Sequence, residues 1–318
     1  MKTMSRGCAA VAAAIGLSLA VLPATAQDIT PPAGATPVVG MAFEPGDSRL
    51  WLAGPEAASG SVVEADSGET WSFGANTESV QALAWSEGRL WVGDIGDTDA
   101  SRDYVVIFRL GEPDGGNSSY FAYDFEYEDG PRDAKAMLIS GRGNIYIVTA
   151  GDDPGIYRGS ESPSRESMNT LTRVADAPDG VSDGVFLTDG STMALRTAVG
   201  IEYLDAFTWE TLVTDTITGA SEAESIAVGQ DDEIYVGGNP TIRTAQVPAS
   251  DTTTTVSPAP PGSASQSASG TPSGSASADP DQSAGGDAQP NRSGTLVAVA
   301  LAGLLAVLAG AVTFFAKR

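Results

Sequence analysis

Two sets of acidic residues are spaced so that they could do chemistry. The first lies on the opening strands of a repeated unit, which read VVGMAF from Val38, VQALAW from Val80, DAKAML from Asp133, VSDGVF from Val181 and EAESIAV from Glu222. Aligned on their apolar pairs, the position before the small residue reads Val39, Gln81, Lys135, Asp183 and Glu224. Two residues earlier it reads Pro37, Ser79, Asp133, Val181 and Glu222. Residues two apart on a strand face the same side, so Asp133, Asp183, Glu222, Glu224 and Lys135 would converge. Convergent carboxylates, amides and carbonyls suit a hard cation such as calcium, which takes about six to eight oxygens. Asp133, Lys135, Asp183 and Glu224 are also the groups that would serve as catalytic acids and bases if a substrate fits. A third reading has the ammonium of Lys135, the only lysine between residues 27 and 293, replacing a metal in an internal ion-pair cluster. The second set is Asp94-Ile-Gly-Asp97-Thr-Asp99, with Asp103 beyond Arg102. It is dense enough for a cation-binding loop but lacks the Gly and terminal Glu of an EF-hand. The alternative is a loop in which the same carboxylates cap turns; Asp152-Asp153 and Asp231-Asp232 are read as turn residues.

The elements that must position these groups recur along the chain. A short apolar strand, a Gly/Asp turn and a second strand of alternating aliphatic and aromatic residues repeat so that Trp51, Trp91, Tyr146, Met193 and Tyr235 are equivalent, spaced 40, 55, 47 and 42 residues apart. Third strands follow near Ser61, Tyr104, Gly155, Gly200 and Thr241, and fourth strands near Thr70, Tyr120, Leu171 and Glu210. Period-2 alternation with this spacing predicts an all-β fold, a β-propeller of five blades with six as the alternative. The last repeat lacks an evident fourth strand, and residues 27–37 (QDITPPAGATP) are a poor candidate to supply it. In a propeller the first strands line the central channel, and the recurring aromatic residues read as packing between blades.

Composition narrows the chemistry further. The 318 residues contain no His and one Cys, which excludes Ser-His-Asp and Cys-His catalysis, HExxH zinc sites and haem on a proximal His. With 17 Lys+Arg against 41 Asp+Glu there is no basic footprint for nucleic acid. Lys2 and Arg6, an uncharged run to Leu22 and Ala24-Thr25-Ala26 predict a secretory signal peptide over residues 1–26. Its loss would remove Cys8, leaving no thiol. Residues 27–248 are then the folded ectodomain, and residues 249–293, rich in Ser, Thr, Pro, Ala and Gly, a disordered stalk. Residues 294–316 carry no charge and precede Lys317-Arg318. As a helix this stretch would reach about 35 Å, enough to span a bilayer with the terminal cations cytoplasmic. Ala302, Ala306 and Gly310 form a small-residue row that could pair helices weakly; a monomer is otherwise expected. The exported residues hold 13 Lys+Arg against 41 Asp+Glu, a formal charge of -28, in keeping with an acidic surface protein.

The segments WVGDIGDTDASRD (91–103), YEDGPRDAKAML (127–138), SDGVFLTDGSTMALRT (182–197) and EAESIAV (222–228) resemble a group of secreted or membrane-anchored β-propeller proteins of actinobacteria, generally of unassigned function. The resemblance covers most of residues 38–240. Similar sequences have Asp-Ile-Gly-Asp-Asn and Asp-Ala-Glu-Ala where this chain has Thr98 and Lys135. A more distant likeness, to calcium-dependent lactonase and phytase-like propellers, is one of fold. The expected function is a cell-surface binding or scaffolding module for a surface protein or small molecule, possessing a channel able to take a divalent cation. The alternative is a metal-dependent extracytoplasmic hydrolase.

Overall fold

The computed structural model describes residues 28–112 and 116–257, which belong to one compact unit. The expected signal peptide, membrane-spanning stretch, terminal tail and the stalk from residue 258 lie outside the described residues. Among the described residues no helix is long and apolar enough to cross a membrane.

The chain runs through successive antiparallel meanders. The first comprises β1 (Gly40–Glu44), β2 (Arg49–Ala53), β3 (Ser61–Glu64) and β4 (Thr70–Ser72); the second comprises β5 (Val80–Ser86), β6 (Arg89–Asp94), β7 (Val105–Leu110) and β8 (Tyr120–Tyr127). The third comprises β9 (Ala134–Ile139), β10 (Ile145–Thr149), β11 (Gly155–Arg158) and β12 (Asn169–Asp176). The fourth comprises β13 (Val181–Phe186), β14 (Thr192–Thr197), β15 (Gly200–Asp205) and β16 (Thr211–Thr218), and the last β17 (Ser225–Val228), β18 (Glu233–Gly237) and β19 (Ile242–Gln246). A final strand, β20 (Thr252–Thr255), returns to the fourth sheet. Tight turns join the strands. Between β5 and β6, Glu87 and Gly88 both have positive φ (51° and 70°), the geometry of a type I′ hairpin.

The first strands form a closed circuit: β1 lies against β5, β5 against β9, β9 against β13, β13 against β17, and β17 against β1. This is the arrangement of a β-propeller, and its core is divided accordingly. A separate apolar cluster fills each gap between successive meanders, for example Trp51, Trp71, Leu83 and Phe108 between the first and second, and Leu52, Met41, Ala227 and Ile242 between the last and the first. Strand alternation supplies both sides: Leu52 faces one gap, Trp51 and Ala53 the other. Among the recurring aromatic residues Tyr146 packs between meanders as expected, on Phe186 at 5.5 Å between ring centroids, whereas Trp51 packs on Trp71 of its own meander at 5.0 Å, and Trp71 in turn meets Trp85 of the next at 6.5 Å. Gly40 is required where inner strands come closest, because a Cβ there would lie 2.7 Å from the Leu83 nitrogen.

Two expectations about the ends of the fold are corrected. Residues 27–37 do contribute an outer partner to the last sheet: Ile29 donates to the Ile242 carbonyl at 2.8 Å and accepts from its N–H at 2.9 Å. A single bridge carries no alternation, so no sequence pattern announces it. The folded part also runs beyond residue 248. The four threonines of β20 pair in parallel with Asp215 to Thr218, the Asp215 carboxylate accepts from the Thr254 hydroxyl at 2.9 Å, and Asp251 accepts from the Thr214 N–H at 2.9 Å. β-branched threonines suit an exposed outer strand, although the composition there is that of a stalk.

Replacing Ile29 by Pro removes the N–H that bonds Ile242 and a side chain packed on the cluster closing the circuit. The expected cost is about 1–3 kcal/mol, read as a lower urea midpoint with an unchanged m-value; an unchanged midpoint would show that the bridge contributes nothing to closure.

Candidate functional site

The mouth of the channel is shaped by a bulge that recurs on three inner strands. β5 pairs with β6 through Val80–Asp94 and then Ala82–Gly93, passing over Gln81. β9 pairs with β10 through Ala134–Thr149 and Ala136–Val148, passing over Lys135. β13 pairs with β14 through Val181–Thr197 and Asp183–Arg196, passing over Ser182. A bulged residue is freed from the ladder and its side chain re-aimed. Gln81, Lys135 and Ser182, together with Val39, Glu224 and Asn239, line a cavity of about 530 Å³.

This register corrects the sequence alignment in the fourth repeat. Ser182, not Asp183, is the equivalent of Val39, Gln81 and Lys135. Asp183 falls in the row of small residues, Gly40, Ala82, Ala136 and Ser225, where the inner strands approach one another. The sequence places Asp183 before Gly184 and so suggests Gly184 as the small residue; the two readings differ by one position, which in a strand reverses the face.

Asp183 is completely buried. Its carboxyl oxygens accept from the N–H groups of Gly184 at 2.8 Å and Ile226 at 3.1 Å, and the Met41 N–H of β1 is directed at it; the Ser225 hydroxyl donates to the Val38 carbonyl at 3.2 Å. One side chain therefore takes donors from β1, β13 and β17. Burial pushes its carboxyl well above the ordinary aspartate value, against the pull of those donors.

Glu224 is also buried, held between two guanidiniums. Arg196 reaches it through Nε at 3.2 Å and Nη2 at 3.0 Å, and Arg243 through both terminal nitrogens at 2.8 Å. Arg196, itself buried, also donates to the carbonyls of Thr197, Gly200 (3.1 Å) and Ser221 (2.8 Å). Arg196, Arg243 and Ser182 are the residues that sequence reasoning missed. The arginines lie on second and third strands, outside the aligned first-strand positions; the one available signal was an Arg interrupting the apolar run TMALRT.

Asp133 accepts the Asp97 N–H at 2.9 Å and pairs with the Lys135 ammonium at 3.1 Å. Lys135 thus forms one ion pair at the rim and does not join Asp183 or Glu224. Glu222 is exposed at the cavity edge.

In the second acidic set the carboxylates hold their own loop. Asp94 accepts from the N–H of Glu78 (3.0 Å) and Ser79 (2.6 Å) and from Arg102 (3.2 Å); Asp97 accepts from the N–H of Ser101 (2.9 Å) and Arg102 (2.8 Å). Asp99 is exposed. Among the described residues no group of three or more His, Cys, Asp or Glu is placed to hold a metal ion. The oxygens of Asp94, Asp97, Asp183 and Glu224 are directed at N–H and guanidinium donors.

No family model matches the sequence, and no curated protein sequence does. Among solved structures, the chain is similar to a gluconolactonase from Xanthomonas campestris (16% identity over 65% of this chain and 71% of that one, TM-score 0.45). It is also similar to virginiamycin B lyase from Staphylococcus aureus (12% identity, 70% and 74% covered, TM-score 0.40) and to the nidogen/laminin complex (15% identity, 63% and 71% covered, TM-score 0.42). The propeller assignment rests on the strand circuit described above and not on these likenesses.

Asp183 gives a pH signature. Its raised value in the fold means that the folded state keeps a proton which the unfolded chain gives up near pH 3.9. Its contribution is therefore fully present below that pH and is lost as pH rises toward the folded value. In Asp183→Asn this decline should be absent, so stability against urea falls less steeply above pH 4 than in the unsubstituted protein. Asp183→Ala strands at least two buried N–H groups and should cost about 3 kcal/mol or more at pH 4; identical pH slopes in the unsubstituted protein and the Asn variant would contradict the assignment.

Proposed function

We propose that this protein is a five-bladed β-propeller displayed at the cell surface, where it binds a small ligand at the channel mouth without a divalent cation and without catalysing a reaction. The five meanders whose inner strands close the circuit support the reading of five blades. Export follows from the signal-peptide pattern of residues 1–26, and tethering from residues 258–293 and the uncharged 294–316 stretch before Lys317-Arg318. The display resembles that of the actinobacterial surface propellers.

One observation carries the binding reading. Three of the carboxylates that a cation or a hydrolytic mechanism would use are committed within the fold: Asp183 to inner-strand N–H groups, Glu224 to Arg196 and Arg243, Asp133 to Lys135 and the Asp97 N–H; Glu222 stays exposed at the cavity edge. The cavity in front of them presents the amides of Gln81 and Asn239, the hydroxyl of Ser182 and the apolar sides of Val38, Val39 and Val181. A concave, largely apolar recess of this size with a few hydrogen-bonding groups is the form of a small-molecule site. Lys135 occupies the place at which similar sequences have a Glu, and its ammonium supplies to Asp133 the positive charge that a metal would otherwise bring.

Calorimetric titration with Ca²⁺ should therefore give no binding heat, and EDTA should leave the melting temperature unchanged. Lys135→Glu should acquire measurable calcium affinity. Heat of binding in the unsubstituted protein, or no gain in the variant, would overturn the replacement of metal by lysine. A ligand-observed NMR screen of small neutral and polar fragments should yield binders that are lost in Ser182→Trp, whose side chain fills the mouth. No binders, or the same binders for both proteins, would overturn the mouth as the site.

A further inference from the structure

A second recess lies at the opposite end of the inner strands. β9 begins beside Lys135 at the mouth and ends at Ile139; beyond it, Ser140, Arg142 and Asn144 of the β9–β10 turn form one wall of a cleft of about 390 Å³. Arg158 at the end of β11 and the β15–β16 turn, with Phe207 and Trp209, complete it, and Tyr146 and Phe186 form its floor.

Three features set this cleft apart. The first is charge: no carboxylate lines it, in a chain where Asp and Glu outnumber Lys and Arg 41 to 17. Seven of the eleven arginines among the described residues pair with carboxylates. Arg142 and Arg158 form no ion pair among the described residues; Arg142 lies over the Phe207 ring at 5.9 Å. The second is the aromatic surface. Tyr146 packs against Phe186 and Trp209, at 5.5 and 6.1 Å between centroids, while Phe207 is 66% exposed at the edge. The third is backbone strain. Trp209 has φ of +63°, a left-handed conformation that a bulky residue adopts at a cost. The turn imposes it: the Asp205 carboxylate accepts from the N–H of Phe207 and Thr208, both at 2.8 Å, and the Asp205 carbonyl accepts from the Trp209 N–H at 2.8 Å. Phe207 and Trp209 thereby stand beside two arginines that have no acidic partner.

Guanidinium forks match a carboxylate through paired N–H donors, and aromatic faces take a planar ring. We propose that this cleft is a binding site for a small aromatic carboxylate, with Arg142 and Arg158 holding the carboxylate and Trp209 and Phe207 receiving the ring. The site is separate from the channel mouth and does not depend on what binds there.

The test is titration of the purified full-length protein with 2-naphthoate, followed by calorimetry and tryptophan fluorescence, beside 2-naphthalenemethanol, galacturonate and inorganic phosphate. Saturable 1:1 binding of naphthoate is expected, at least about tenfold tighter than the neutral alcohol, the sugar acid or phosphate. Arg142→Ala and Arg158→Ala should each weaken it by about tenfold or more, the loss of a charge-assisted hydrogen bond; both residues are exposed, so their replacement leaves the core intact. Trp209→Gly, which suits the left-handed backbone, should lose both the affinity and the fluorescence change. Absence of saturation, unchanged affinity in both arginine variants, equal binding of the alcohol, or phosphate or galacturonate binding as tightly as naphthoate would each overturn the proposal.

Discussion

The ring of inner strands has to close on itself without a covalent staple, since a chain with a single cysteine can form no internal disulfide. Antiparallel hydrogen bonding holds each meander together but does not join the inner strand of one to that of the next. Side chains do that, and around β1, β13 and β17 the connection passes through the Asp183 carboxyl, which takes donors from all three. The Arg196–Glu224–Arg243 group reinforces the same sector, linking β14 to the last meander. Apolar clusters fill every gap, but they are non-directional; these polar contacts fix which strand lies beside which. The cost is desolvation, and it explains why these groups are fully bonded: a buried polar or charged group missing a partner is destabilising.

That constraint also engages side chains at the channel. Asp94, Asp97, Asp183 and Glu224, which read as ligands or catalysts in the sequence, are occupied as structural acceptors, and Lys135 pairs with Asp133 at the rim. The bulges that turn Gln81, Lys135 and Ser182 into the mouth leave it furnished with amide, hydroxyl and ammonium groups. The far end of the fold is different in kind. There the turns of the third and fourth meanders bring together arginines that form no ion pair among the described residues, exposed aromatic surface and a strained tryptophan.

Much of the fold was legible in the sequence because it is repetitive: the alternation around Trp51, Trp91, Tyr146, Met193 and Tyr235 marks every second strand. Less was legible wherever the pattern breaks. Ile29 contributes through one bridge, and β20 is made of threonines that in composition belong to a stalk. The site was legible in its parts but not in its pairing. Asp133 and Lys135 were placed together correctly, as neighbours on one strand face. Asp183 was placed on the wrong face because the bulge at Ser182 shifts the register by one, and Glu224 was read as free because its arginine partners come from β14 and β19. The acidic loop from Asp94 to Asp103 offers the same composition to a cation or to its own N–H groups, and only three-dimensional placement shows that Asp94 and Asp97 are turned inward.

Amide hydrogen exchange tests the role of Asp183 in closure most directly. If its carboxyl joins the three inner strands, the N–H groups of Gly184, Ile226 and Met41 should be among the slowest to exchange, opening only with global unfolding. Exchange of these amides by local opening, at rates close to those of exposed turn residues such as Asp189, would contradict the account.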